Sequence, residues 1–491
     1  MRVGTPAENK HDDHEVAIID HKLLAGGEWI ETGEWDEVTS PYDGTVIGRV
    51  ARGDAALVDR AVDSAHRAFV TADFPQYQRA EVLDRAAALT AERIGDLAQT
   101  IAAEAGKPIK AAKVEASRCV DTFKFSAVEA RKLTGSTVPM EASAAGVGKL
   151  GVMLRVPYGV VGAISPFNFP LNLVAHKLGP AIAAGNAVVL KPAGQTPISA
   201  LKLAEILIDA GLPEGWLAVV PGPGSAVGNA LVEHELVRAI TFTGSAKVGW
   251  GIRAKAPHKK VNLELGSNAP LIVNDDGDWE AAADKAQIHA FAHAGQVCIS
   301  IQRILVHEAI ADPFVERLVG GVGDLRVGDP LDPATDVGPL ITTGDRDRVV
   351  EWIEEAVAAG AELLTGGGLV DEGRCLAPTL LRGAPKDSKV WCEEVFGPVA
   401  TIQAFSSFEE GLEIANDSRF GLQAGVFTRD VGRALQAANT LEFGGVMVNE
   451  VPAFRADQMP YGGVKDSGNT REGPAFSVRE LTEERFVVLQ G

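Results

Sequence analysis

The stretch from residue 159 to 266 decides the fold: GVVGAIS (159–165), NAVVLKPAGQTP (186–197), WLAVVPGPGSAVG (216–228), AITFTGSAKVG (239–249) and VNLELG (261–266). Residues 160–165, 187–190, 217–220 and 239–242 are short apolar runs closed by Gly, Pro or Ser, and they read as buried strands. After the second, Thr196 is placed to cap a helix with Pro197 at its first position, and Gly211 with Pro213 closes it. Strand and helix in alternation imply a parallel sheet with helices on both faces. Such sheets bind ligands at the carboxyl ends of their strands. Two glycine-rich turns fall there, 222–228 and 242–249. Glycine lets a backbone approach a pyrophosphate closely, and a helix N-terminus offers it free N–H groups. Neither turn has the G-x-G-x-x-G spacing, and each alone reads as an ordinary strand-to-helix turn. Two in succession bring a nucleotide site level with that plainer reading.

Outward from this stretch, residues 23–50 read as short strands and a helix begins at about Ala55, with Val58, Val62, Ala65 and Phe69 at helical spacing. A second helix is predicted over 78–105. Its stripe is Val82, Ala86, Leu89, Arg93, Leu97 and Ile101, and Gly106 and Pro108 end it. A third spans roughly 110–133. Residues 138–156 are extended with few large apolar groups, as in a two-stranded arm that packs on something else. A second α/β region runs from Ala269 to about Glu472, and 484–490 reads as a terminal strand in need of a partner. The chain has 491 residues, too many for one core. Its net charge of −20 argues against nucleic acid or an anionic membrane surface as main partner. No apolar run reaches the ~18 residues of a membrane span. The polar start, 1–15, lacks the apolar stretch of a signal peptide. Four cysteines, Cys119, Cys298, Cys375 and Cys392, have no C-x-x-C spacing. No disulfide framework or metal site is expected, and the cytoplasm is the expected compartment.

Three further segments carry chemistry. In 291–300, Gly295 and Gln296 permit a sharp backbone just before Cys298. A cysteine at random is a buried, inert residue, but a nucleophilic thiolate needs such a setting. Glu264 interrupts an otherwise apolar strand. It is either a charge facing solvent or a partly buried base with a raised pKa. Asn168 sits between two aromatics and two prolines in SPFNFP (165–170). It is either a capping residue or a hydrogen-bond donor to an oxyanion.

Together these segments resemble the aldehyde dehydrogenase superfamily over nearly the whole chain. The matching motifs are PFNFP (166–170), GPAIAAGNAVVLKPA (179–193), FTGS (242–245), LELG (263–266), GQVC (295–298), EEVFGPV (393–399), PYGGVKDSG (460–468) and REG (471–473). The resemblance implies an α/β fold of two open domains plus a small β oligomerisation arm. Residues 1–136 and 157–267 would form a Rossmann-type cofactor domain, 268–476 a catalytic domain, and 137–156 with 477–491 the arm. It implies that Cys298 attacks an aldehyde, with the Asn168 side chain and the Cys298 N–H holding the oxyanion. Hydride then passes to the nicotinamide of NAD or NADP, and Glu264 activates water to hydrolyse the thioester. Lys177 and Glu472 match positions that relay protons, and Lys177 is equally open to a structural ion pair. Cofactor contacts are implied for Ile164, Ser165, Pro166, Phe167, Lys191, Ala193, Gly194, Gly224, Gly228, Phe242, Thr243, Gly244, Ser245, Val248, Leu265, Gly266, Glu394 and Phe396.

Two departures bear on specificity. Many relatives carry a Glu three residues after the ribose-binding Lys, whereas Lys191 is followed by Pro192, Ala193 and Gly194. A carboxylate there would repel a 2′-phosphate, so NADP is expected to be at least tolerated. Phe167 stands where Trp is frequent, and with LELGSNAP this resembles the lactaldehyde-dehydrogenase-like branch, which takes short 2-hydroxy and anionic-tailed aldehydes. The substrate mouth is expected to include Arg118, Phe123, Val297, Ile299, Phe454 and Arg455. Arg455 is either an anchor for an anionic substrate or, slightly preferred, a salt-bridge partner of Asp457 or another acid. The rivals are a CoA-acylating dehydrogenase, which the Glu at 264 disfavours, and a non-catalytic structural protein. The resemblance also implies a homodimer or homotetramer, joined by the arm and by a terminal strand that extends a neighbour's sheet.

Overall fold

The computed structural model describes residues 19–71 and 73–491; the polar start read above lies outside them. The apolar runs at 160, 187, 217 and 237 are strands because β-branched and Ala residues there are buried on both faces. They build a seven-stranded sheet in the spatial order Lys260–Glu264, Val237–Thr243, Val160–Ile164, Ala187–Lys191, Leu217–Val219, Leu23–Ala25, Glu28–Ile30. The first five strands are parallel and the last two are antiparallel additions. Strand order reverses between Val160–Ile164 and Val237–Thr243, so a crevice opens beyond Ile164 and Thr243.

A second seven-stranded sheet runs Glu362–Thr365, Thr379–Arg382, Val399–Phe405, Arg303–His307, Pro270–Val273, Gln423–Phe427, Gly445–Val448. All its pairings are parallel except that of Glu362–Thr365. Each sheet has its own core. The helix Pro474–Glu480 spans the expected boundary at 476/477, and Val478 and the following Leu481 pack into the first core.

Two of the helix readings above change. The single helix predicted over 78–105 is two, Gln76–Glu92 and Ile94–Ala105, broken at Arg93. Arg93 leaves the stripe to pair with Asp209. Thr196 does begin the helix Pro197–Asp209, but its side chain makes no capping bond. The free N–H groups of Ile198 and Ser199 go instead to the buried Glu104 carboxylate at 2.9 and 3.0 Å. Glu115 serves Leu171 and Asn172 in the same way at the start of Asn172–Ala184. That helix is buried on every side and carries His176 and Lys177 into the interior.

The strand predicted over 484–490 is Thr482–Gln490. It pairs antiparallel along its nine residues with Lys149–Pro157 of its own chain. With Ser136–Val138 these form a three-stranded sheet in which Thr482–Gln490 is an edge. Among the described residues no helix is long and apolar enough to cross a membrane.

Candidate active site

A cavity of about 520 Å3 occupies the crevice between the two sheets, a size suited to a small organic ligand. All eighteen positions expected to touch a cofactor line it, and so do Cys298, Glu264 and Asn168. Gln195, Asn229, Asp345 and Arg348 line it too. The sequence reading missed these four, and the last two come from a helix, Thr343–Ala358, that carries no motif.

Glycines give the cavity its cradle. A Cβ on Gly224 or Gly228 would meet nothing within 4 Å, so the backbone there lies open to a ligand. Ser245, the cap of the helix Ala246–Lys255, lines the same space, so the helix N-terminus lies beside it. On the far wall, Glu394 accepts the Ser267 N–H at 3.0 Å, and a Cβ on Gly266 would lie 2.1 Å from its Oε2. Burial pushes the Glu394 carboxyl up to about 7. Phe396 adopts φ +49°, a costly conformation for an aromatic residue. It meets Phe167 edge-on at 5.8 Å between ring centroids. The open glycines, the Lys191 ammonium and the Glu394 carboxylate fit the phosphates and ribose hydroxyls of a dinucleotide.

The cysteine loop is fixed by its neighbours. Gly295 has φ +70°, and a Cβ would come within 2.0 Å of Gly397 O, so only glycine fits. The Asn168 Nδ2 donates to Gln296 O at 2.8 Å. An amide carries two such hydrogens, so one remains for a ligand. Burial pushes the Cys298 thiol up to about 11, against a hydrogen bond with the Tyr461 hydroxyl and the nearby Arg455 guanidinium. The Cys298 Sγ and Tyr461 Oη are 2.8 Å apart.

Glu264 is 3 % exposed, and neither of its carboxylate oxygens has a protein partner. Burial, and then the Glu472 carboxylate, hold its pKa well above the usual range. Glu472 behaves oppositely. Burial would raise it, but the Lys177 ammonium and Arg455 guanidinium hold it down at about 2. Lys177 Nζ lies 2.6 Å from Thr243 Oγ1 and 3.3 Å from Glu472 Oε1.

The expected substrate residues lie outside this cavity's lining. Phe123 is a correction: it is wholly buried in the first core. Arg455 is paired at 3.0 Å, with Glu472 and not with Asp457. Asp457 is taken by Arg118 at 2.8 Å and by His176 at 2.9 Å. Val297, Cys298 and Ile299 cluster with Leu422 and Tyr461 beside the cavity, while Phe454 is half exposed.

A doubly wound sheet with a glycine-cradled cavity at the ends of its strands is the frame of a dinucleotide-dependent oxidoreductase. The chain belongs to the aldehyde dehydrogenase family, whose profile matches residues 29–487. It is 46% identical to the 3-sulfolactaldehyde dehydrogenase of Priestia aryabhattai over 96% of this chain and 98% of that one. It is 39% identical to the lactaldehyde dehydrogenase of Methanococcus vannielii over 95% and 99% of the two chains. Among solved structures, glyceraldehyde-3-phosphate dehydrogenase from Methanocaldococcus jannaschii, complexed with NADP, superposes with a TM-score of 0.89 at 39% identity. That match covers 93% of this chain and 100% of the other. The protein is an NAD(P)-dependent enzyme that oxidises aldehydes.

Proposed function

We propose that the chain oxidises a short-chain aldehyde, lactaldehyde-like or carrying an anionic tail, to its carboxylic acid through a thioester on Cys298. The observation that carries this reading is Glu264: buried, with both oxygens unpartnered, in the same cavity as Cys298. A carboxylate left so has no structural work and is free to hold a water. The Cys298 thiolate adds to the carbonyl carbon, and the Asn168 amide and the Cys298 N–H hold the resulting oxyanion. A bound nicotinamide dinucleotide supplies the hydride acceptor. Loss of the hydride leaves the acyl group on Cys298. Glu264 takes a proton from water, the hydroxide adds to the acyl carbon, and the Cys298 thiolate leaves. Lys177 and Glu472 stand behind Glu264 as its proton outlet, a role supported by their contact with each other. Lys191 and Ser245 serve the adenosine ribose and pyrophosphate, and Glu394 the nicotinamide ribose. With Gly194 where a carboxylate would repel a 2′-phosphate, NADP is accepted.

The substrate class is supported by the names of the two curated relatives. An initial-rate panel of short neutral and anionic aldehydes, each with NAD and NADP, tests it. Turnover of lactaldehyde-like or anionic substrates to free acid, with NADP active and CoA without effect, is the expected result. A preference for long apolar aldehydes, or an acyl-CoA product, would overturn the reading.

The assembly we propose is a homodimer or homotetramer. Leu150, Val152 and Leu154 share one face of the small sheet with Val487 and Leu489, and Leu150 and Leu489 are 52% and 54% exposed. A bare apolar face of this kind marks an interface. The division into a cofactor domain, a catalytic domain and this arm follows the two cores and the small sheet. The cytoplasm as compartment is supported by four free cysteines.

A further inference from the structure

Tyr461 is drawn into the site by contacts that its motif does not foretell. Its ring is 2% exposed, and its hydroxyl lies 2.8 Å from Cys298 Sγ. The Arg455 guanidinium lies over the ring at 3.8 Å from the centroid, close enough for cation–π attraction. Arg455 is itself pinned by Glu472 at 3.0 Å, and Glu472 by Lys177. The next residue, Gly462, abuts the base: a Cβ there would lie 2.6 Å from Glu264 Oε1. Tyr461 therefore touches the cysteine, and the residue after it lies against the Glu264 carboxylate. Tyrosine hydroxyls can donate or accept, but a thiolate can only accept.

We propose that Tyr461 is a catalytic residue whose hydroxyl donates a hydrogen bond to the Cys298 thiolate, and that Arg455 and Glu472 are positioning residues that hold its ring. The proton stays on the phenol oxygen and no bond is made or broken. The bond stabilises the ionised nucleophile before attack and as it leaves the thioester. Arg455 pairs with Glu472 through one guanidinium nitrogen, while its buried Nε has no protein partner. The other charged groups facing the thiol are Arg455, which favours its ionisation, and Glu394 and Glu264, which oppose it. The inference rests on the reading of Cys298 as nucleophile.

Iodoacetamide alkylation of Cys298, mapped by mass spectrometry across pH, reads thiolate formation directly. Tyr461→Phe keeps the ring under Arg455 and deletes only the donor. Its alkylation profile is expected to move up by about one pH unit, a roughly tenfold slower reaction at neutral pH. The acid limb of kcat/KM should move with it, while melting temperature and cofactor affinity hold. Replacing Tyr461 by 3-fluorotyrosine, a stronger donor, should move both limbs down. Identical alkylation profiles in the three proteins would overturn the proposal. Full turnover by Cys298→Ser would instead overturn the nucleophile itself, so the two failures are distinguishable.

Discussion

Glu264 is costly to bury, and the cost has a sign that can be measured. Its folded-state pKa lies well above the ordinary 4.5 because burial disfavours the charge. Between those two values the folded chain binds more protons than the unfolded one, so stability falls as pH rises above 4.5. Glu264→Gln keeps the shape without the charge. Its melting temperature should exceed the wild type at pH 8, with the gap closing toward pH 5. A gap that does not change with pH would contradict a buried charge. The same variant should lose a factor of about 10²–10⁴ in turnover, the usual contribution of a general base, and accumulate an acyl group on Cys298 visible by mass spectrometry. Glu472 contributes in the other direction. Its pKa is held near 2 by Lys177 and Arg455, so its share of stability is complete above 4.5 and is lost as pH falls toward 2. At this scale Cys298, Glu264 and Asn168 were marked as candidates because each is an odd residue in its local setting, and all three line the cavity. Tyr461 was not. Its partner is 163 residues away, and nothing local in PYGGVKDSG speaks of a contact with the cysteine. Arg455 was half legible: an acid was expected, but the neighbouring Asp457 is occupied by Arg118 and His176.

Among the elements, the helices show best where sequence patterning stops. The apolar stripe over 82–101 continues through Arg93, so periodicity alone sees one helix. The break becomes visible only once Arg93 is seen to reach Asp209. Capping shows the same limit. Thr196 and Pro197 mark the helix start correctly, yet the acceptor for its N–H groups is Glu104, which is 94 residues before Ile198. Burial pushes the Glu104 carboxyl up to about 7. Glu104→Ala would leave two buried donors unpaired, each costing about 1–3 kcal/mol. We expect a lowered melting temperature with KM for the aldehyde unchanged, measured by calorimetry beside initial rates. Glu104→Gln retains one acceptor and should fall between. The parallel strands were the most legible elements because burial on both faces leaves an unbroken apolar run. The helix Thr343–Ala358 was not, although it brings Asp345 and Arg348 to the cavity, because nothing in its local sequence speaks of a ligand.

Across the whole molecule, the terminal strand found a partner that its sequence did not name. It was expected to extend a neighbour's sheet; within its own chain it pairs with Lys149–Pro157, and its other edge carries no strand. What remains for a partner is the outer edge of Thr482–Gln490 and the apolar face around Leu150 and Leu489. Introducing Leu150→Glu with Leu489→Glu places like charges directly opposite one another on that face. Light scattering should then report a single-chain mass, and an assembly that survives both changes would exclude this face as the contact. The return of the chain to its own beginning has a further consequence, for synthesis. A chain halted after Val448 already holds every strand of both large sheets. It lacks Tyr461 and Glu472, and it lacks Asn469, whose side chain accepts the Leu263 N–H beside the base. It also lacks Val478 and Leu481, which close the first core. On the ribosome, architecture is therefore acquired early and chemistry last. Truncated products would resemble the enzyme in shape while the lid over Glu264 is still unwritten.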